Sequence, residues 1–255
     1  MTPDWTPLET ELARWSAQGR TLPLWWRDDD AVAETPALRK LTELSERLGL
    51  PVHLAVIPAA AEESLAEAVS RTPTLVPLVH GWSHRNHAPE GEKKAEFGAH
   101  RPLEARVQDA ARGLARLRAL FGARLRPVFV PPWNRIAPDM AAALPALGYI
   151  ALSGFTPRRA PLAAPGLAQV NCHLDPIDWR GSRSLRDPDL LISGMATQLA
   201  DRREGRADAA EPFGLLTHHL AHDAAIWAFT EALLSRLMAG PVQAWTAPHL
   251  PKDMP

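Results

Sequence analysis

Cysteine is nearly absent from this 255-residue chain. Cys172 stands alone, which excludes an internal disulfide and any metal site built on several thiolates. Lysine is scarce too: it occurs only at Lys40, Lys93, Lys94 and Lys252, and basic residues form no block. With a formal net charge of −1, nothing draws the chain to nucleic acid or an anionic membrane, so neither is expected as a partner. No run of residues reaches the roughly 18 apolar positions a membrane span requires. The acidic opening MTPDWTPLETELARW lacks the apolar stretch of a secretion signal, and the cytoplasm is the expected location.

What the chain does have is enough apolar material, 46%, for one large core over residues 1–255. Thr6 as N-cap, Pro7 and Glu9 predict a capped helix within residues 1–20. From there, short apolar runs alternate with helix-period segments. Strands are expected at 22–27, 51–57, 75–79, 126–130, 149–153, 168–172, 213–217 and 242–246, and helices most clearly at 36–48, 102–121 and 224–238. The pieces 157–166 and 201–211 read as loops, and the charged segment 180–212 is long enough to cover a pocket. Such alternation predicts an α/β fold, a distorted (β/α)7-8 barrel of parallel strands over 22–246, with an open doubly wound sheet as the alternative.

Polar residues gather where those strands end. Asp28-Asp29-Asp30 follows the first strand, His80 and His84 the third, and Pro131-Pro132-Trp133-Asn134 the fourth. His173, Asp175 and Asp178-Trp179 follow the sixth, and His218-His219 the seventh. The carboxyl ends of barrel strands share one rim, so five such clusters point to an enzyme. Two histidines four apart plus a carboxylate from another strand suit zinc or another divalent transition ion with an open position for water. A second carboxylate can take a proton from that water, and a further histidine can protonate a leaving group. Hydrolysis of an amide or ester fits these parts. Taken singly, each cluster also has a structural reading: a solvated histidine pair, a helix-capping aspartate run, a rigid proline loop. His53 and Cys172 read as structural core residues.

In their order and spacing these residues resemble the polysaccharide deacetylase family, the NodB-homology domain of carbohydrate esterase family 4. RDDDA (27–31) is similar to the family's TFDDG, HGWSH (80–84) to HTWSH, FVPPWN (129–134) to FRPPYG, DPIDW (175–179) to DSxDW, and LLTH (215–218) to the closing LxH. The resemblance implies a metal-dependent deacetylase, holding Zn2+ or else Co2+, Ni2+ or Mn2+, that acts on a small-molecule or oligosaccharide N-acetyl substrate. It makes Asp29 the catalytic base and Asp30, His80 and His84 the metal ligands. His218 becomes the general acid, oriented by Asp175 or Asp178. Trp82, Trp133, Asn134 and Trp179 would line the substrate pocket.

Two departures from the pattern bear on this. A slip of one residue in the first motif would make Asp28-Asp29 the working pair. The family's third-motif arginine, which holds the catalytic aspartate, corresponds here to Val130, leaving Arg27 or Arg135 to supply the charge. Two other readings are a barrel that binds a sugar-like ligand without turning it over, and an amidase acting on a non-carbohydrate substrate.

Overall fold

A computed structural model describes residues 2–248; the domain expected over 1–255 runs past them at both ends. Among the described residues, nine strands are found: β1 (Leu22–Ala31), β2 (Val52–Val56), β3 (Leu75–His80), β4 (Val128–Val130), β5 (Ala151–Leu152), β6 (Leu162–Ala164), β7 (Leu167–Gln169), β8 (Phe213–Thr217) and β9 (Val242–Ala244). The helices are α1 (Thr6–Ala17), α2 (Pro36–Leu48), α3 (Glu63–Arg71), α4 (Leu103–Phe121), α5 (Pro138–Ala143), α6 (Pro188–Arg203) and α7 (Ala224–Met238). The sheet runs β6-β7-β5-β4-β3-β2-β1-β8. Its pairs are parallel except β6 with β7. Past β7, Cys172 bridges Phe155 and Leu174 bridges Leu215 of β8. Residues 171–174 thus stand between the β5 edge and β8, and isolated bridges close the ring where a regular ladder is missing. The architecture is the distorted α/β barrel expected.

Burial explains why the strands read as continuous apolar runs. β2 and β3 are buried at every position, because one face looks into the ring and the other lies under helices. Trp25, Ala55, Leu78, Val128, Val130, Ala151, Cys172 and Leu216 pack together inside. Trp26, Leu54, Val79, Phe129 and Leu215 face outward into the larger core beneath the helices. The helices are seated by ordinary caps. Thr35 accepts from the Leu38 N–H and Gly49 closes α2 in the left-handed conformation. Asp223 accepts from the Ile226 N–H at the start of α7.

Three sequence expectations change, and one point the sequence leaves open is resolved. Trp5, not Thr6, is the N-cap of α1, no side chain caps it, and the Thr6 N–H is satisfied by Asp4 Oδ1 instead. The piece 157–166, expected as loop, contains β6, which turns at Gly166 (φ +77°) to form a hairpin with β7. The last strand is not a further barrel stave. Leu24 pairs with Phe213 on one side and with Ala244 on the other, so β9 adds only to the first residues of β1. Finally, much of 180–212 is α6, whose Leu191, Ile192, Met195 and Leu199 are buried and which packs against α1. It is part of the wall, not a cover.

Candidate active site

Strand β1 delivers three successive aspartates to three different places. In a regular strand Asp28 and Asp30 would share one face and Asp29 the other. A register shift between Asp29 and Ala31, with Asp30 at φ +74°, breaks the alternation. Asp29 faces the mouth of the barrel, Asp30 is turned to the same rim, and Asp28 remains on the outer face of the strand.

His80, the last residue of β3, is buried, and its Nδ1 lies 2.9 Å from the Val130 carbonyl. Donation there leaves Nε2 as the free ligand atom. Nε2 sits 3.2 Å from Asp30 Oδ1, and His84 Nε2 lies 3.4 Å from the same oxygen. Ligand atoms of Asp30, His80 and His84 all lie within 4.8 Å of one another, the one such group among the described residues. Asp30 Oδ1 is buried and has no hydrogen-bond partner. A buried carboxylate oxygen facing two imidazole nitrogens is a donor set that fits a small divalent cation. Burial works against charge on Asp30, but the facing His80 ring and the charges of His80, His218 and His84 hold its carboxyl well below the usual range.

The guanidinium of Arg27 is fully buried and lies along Asp29, with Nε 2.9 Å from Oδ1 and Nη2 3.0 Å from Oδ2. Its other donors meet Asn134 Oδ1 (2.7 Å), Ser153 Oγ (2.7 Å) and the carbonyls of Ser153 and Gly154. Nη2 hydrogen-bonds Oδ2 while Nε adds a close ion-pair contact to Oδ1, so one guanidinium edge faces both carboxylate oxygens. Of the two arginines considered for the charge, Arg27 contacts Asp29. Arg135 instead bonds the Lys94 carbonyl on the neighbouring loop, and Val130 is buried inside the barrel.

On the other side of the mouth His218 meets the edge of Trp179, ring centroids 4.7 Å apart, and its Nδ1 has no partner. Asp175 accepts from the Ile177 N–H and from Trp179 Nε1. Burial pushes its carboxyl up in pKa, His218 opposes that shift, and Asp29 adds to it. Trp133 stacks obliquely on His84 at 4.3 Å. Among the described residues six non-glycine positions have positive φ, and four of them, Asp30, His84, Trp133 and Asn134, belong to this rim. Backbone held in that region costs energy and marks sites fixed by their surroundings.

Three solved structures share this arrangement of elements. A family 4 carbohydrate esterase from Streptomyces lividans, in complex with acetate, matches with a TM-score of 0.56 and 14% identity over 88% of this chain and 92% of its own. A Streptococcus mutans esterase of the same family matches at 0.56 and 12%, over 86% and 81%. A peptidoglycan deacetylase from Bacillus subtilis matches at 0.54 and 12%, over 88% and 87%. The chain has the fold of the family 4 carbohydrate esterases. No protein-family model matches it in sequence, and neither does any curated protein.

Within this esterase fold, some expected residues lie apart from the cluster. Asp178 is withdrawn: its carboxylate accepts from the N–H groups of Gly181 and Ser182, capping its own turn. Trp82 turns outward, packing on the outer core with the Arg112 guanidinium of α4 over its ring at 4.3 Å. His173 is a core residue, stacked on Phe213 and bonded to Glu211 and Arg202. Cys172 is inert, burial pushing its thiol up to about 12. Two contributors have no sequence signal. Glu96, from a charged loop, is buried and accepts from the N–H groups of Trp82 and Ser83 and from Ser83 Oγ, which fixes the turn carrying His84. Ser153, just past β5, anchors Arg27.

Proposed function

We propose that the chain is a metal-dependent hydrolase that removes the acetyl group from an N-acetylated carbohydrate. The observation that carries this reading is the convergence of Asp30, His80 and His84 beside an Arg27-clamped Asp29, with His218 across the barrel mouth. A divalent cation held by Asp30, His80 and His84, with zinc the ion best suited to them, would supply Lewis acidity towards water and the acetyl carbonyl. Asp29 takes a proton from the attacking water, its carboxylate aimed by Arg27 so that one lone pair stays directed at the mouth. His218 gives a proton to the departing amine nitrogen, without which an amide cannot break at neutral pH. Trp133 and Trp179 offer flat apolar faces against which a sugar ring stacks. The non-catalytic reading drew on the arginine missing at Val130, and the Arg27 clamp on Asp29 removes that ground.

The test is elemental analysis and acetate release from N-acetyl oligosaccharides, on the wild type, the His80→Ala/His84→Ala double variant and Asp29→Asn. The proposal expects about one equivalent of metal in the wild type, lost with activity in the double variant. In Asp29→Asn the metal is kept while turnover falls about a hundredfold or more. A wild type that takes up no divalent ion overturns the proposal.

A further inference from the structure

Asp28 is the one member of the aspartate run that the proposed chemistry leaves idle. It is fully buried on the outer face of β1, beside the turn His219–Ala221, which in turn packs on α2. A carboxylate there is expensive unless every lone pair is met, and here three donors meet it. Thr217 Oγ1 donates to Oδ2 at 2.6 Å, the His219 backbone N–H donates to the same oxygen at 3.0 Å, and His219 Nδ1 meets Oδ1. Thr217 Oγ1 in turn accepts from Trp26 Nε1 at 2.8 Å, so the network is tied back into β1.

The donors share one property: they are the residues on either side of His218. Thr217 and His219 are both fastened to one carboxylate. The backbone of His218, at φ −142° and ψ 85°, is therefore suspended between two fixed points as the chain leaves β8. A weaker third hold comes from the His218 N–H, 3.4 Å from His222 Nε2. The His218 ring lacks an Nδ1 partner, so its direction depends on this backbone placement and on the Trp179 edge. We propose that Asp28 is a positioning residue which, through Thr217 and His219, aims His218 across the barrel mouth for proton donation. This rests on the reading of His218 as the proton donor to the leaving group.

Two substrates separate aiming from general support. Tetra-N-acetylchitotetraose has an amine leaving group that must be protonated, whereas 4-nitrophenyl acetate releases a phenolate that needs no proton. In Asp28→Asn, turnover of the amide should fall about tenfold to a hundredfold. KM should stay within about twofold, ester hydrolysis should be preserved, and the bound metal should be undiminished. Thr217→Val, which removes one donor, should show the same pattern more weakly and carries the test if Asp28→Asn does not fold. Equal losses on amide and ester, or loss of metal, overturn the proposal. If the wild type cleaves neither compound, the functional reading fails, and NMR of the His218 ring Cε1–H group decides the positioning on its own. A broadened or shifted His218 signal in the variant upholds it, and an unchanged one overturns it.

Discussion

At the scale of single residues, three adjacent carboxylates illustrate how neighbours decide chemistry. Asp28 is held by donors on the outer face, Asp29 is paired with a guanidinium inside the barrel, and Asp30 faces two imidazoles at the rim. Arg27 and Asp29 are both nearly inaccessible, at 0% and 4% side-chain exposure. Removing the cation therefore leaves a buried, uncompensated anion. Arg27→Met should cost about 3–5 kcal/mol of stability, read by urea unfolding, and turnover should fall about a hundredfold with metal retained. Arg27→Lys should recover part of the stability but little of the turnover, since an ammonium is a point donor and cannot span both carboxylate oxygens. Unchanged turnover in Arg27→Met would remove Arg27 from the site. The three-aspartate run was visible in the sequence, but its division of labour was not. That division depends on one bulge at Asp30, and no side chain announces a bulge.

Among elements, the turn between β3 and α4 shows what a histidine pair needs in order to work. Gly81 lies at φ +57°, and a Cβ there would come within 2.3 Å of Glu96 Oε2 and 2.7 Å of Pro132. The same close approach lets Gly113 of α4 press on the Gly81 carbonyl, which would lie 2.8 Å from an added Cβ. Gly81→Ala should therefore do more than strain one residue. It pushes Glu96 off the backbone that carries His84, so metal affinity should drop about tenfold or more and stability by about 2 kcal/mol or more. Gly91→Ala is the control: its φ is +82° but nothing lies within 4 Å, so it should cost about 1 kcal/mol and leave metal binding intact. Equal metal affinity in both variants, measured by zinc titration, would sink this account. The HGWSH spacing was legible because side-chain types carry it. Glu96 was not, because a buried carboxylate inside a charged loop looks like any solvated one. β6 was hidden for a related reason: a three-residue edge strand with an exposed Leu162, set between Pro161 and Pro165, reads as a Pro/Ala-rich loop.

Over the whole molecule, the polar clusters at strand ends foretold the shared rim, since a parallel barrel sends every carboxyl end the same way. The opposite end was less readable, because β9 docks below β2 instead of joining the ring. There the ring interior is stoppered by Trp25, Trp245 and His53, with ring centroids 5.3 to 6.0 Å apart. His53 is completely buried. Its Nδ1 meets the Trp26 carbonyl at 3.0 Å, and its Nε2 accepts from the Ala247 N–H at 3.1 Å. Both nitrogens are thus committed in the neutral ring, and a second proton on Nε2 would confront a donor. Burial accordingly lowers the His53 pKa from 6.5 to about 4, the hydrogen bond to Trp26 opposing and the charge of Arg126 adding. Because the folded value is depressed, the unfolded chain binds the extra proton first. Stability is therefore full above pH 6.5 and declines as pH falls towards 4, by about 2 kcal/mol between pH 7 and 5 from this residue. His222, also lowered to about 4, chiefly by burial, adds in the same direction. Urea unfolding at the two pH values should show the drop. His53→Asn, which cannot titrate, should be less stable at pH 7 yet lose about 2 kcal/mol less on acidification than the wild type. If the variant keeps the wild-type pH slope, the stopper is not the acid-sensitive part of the barrel.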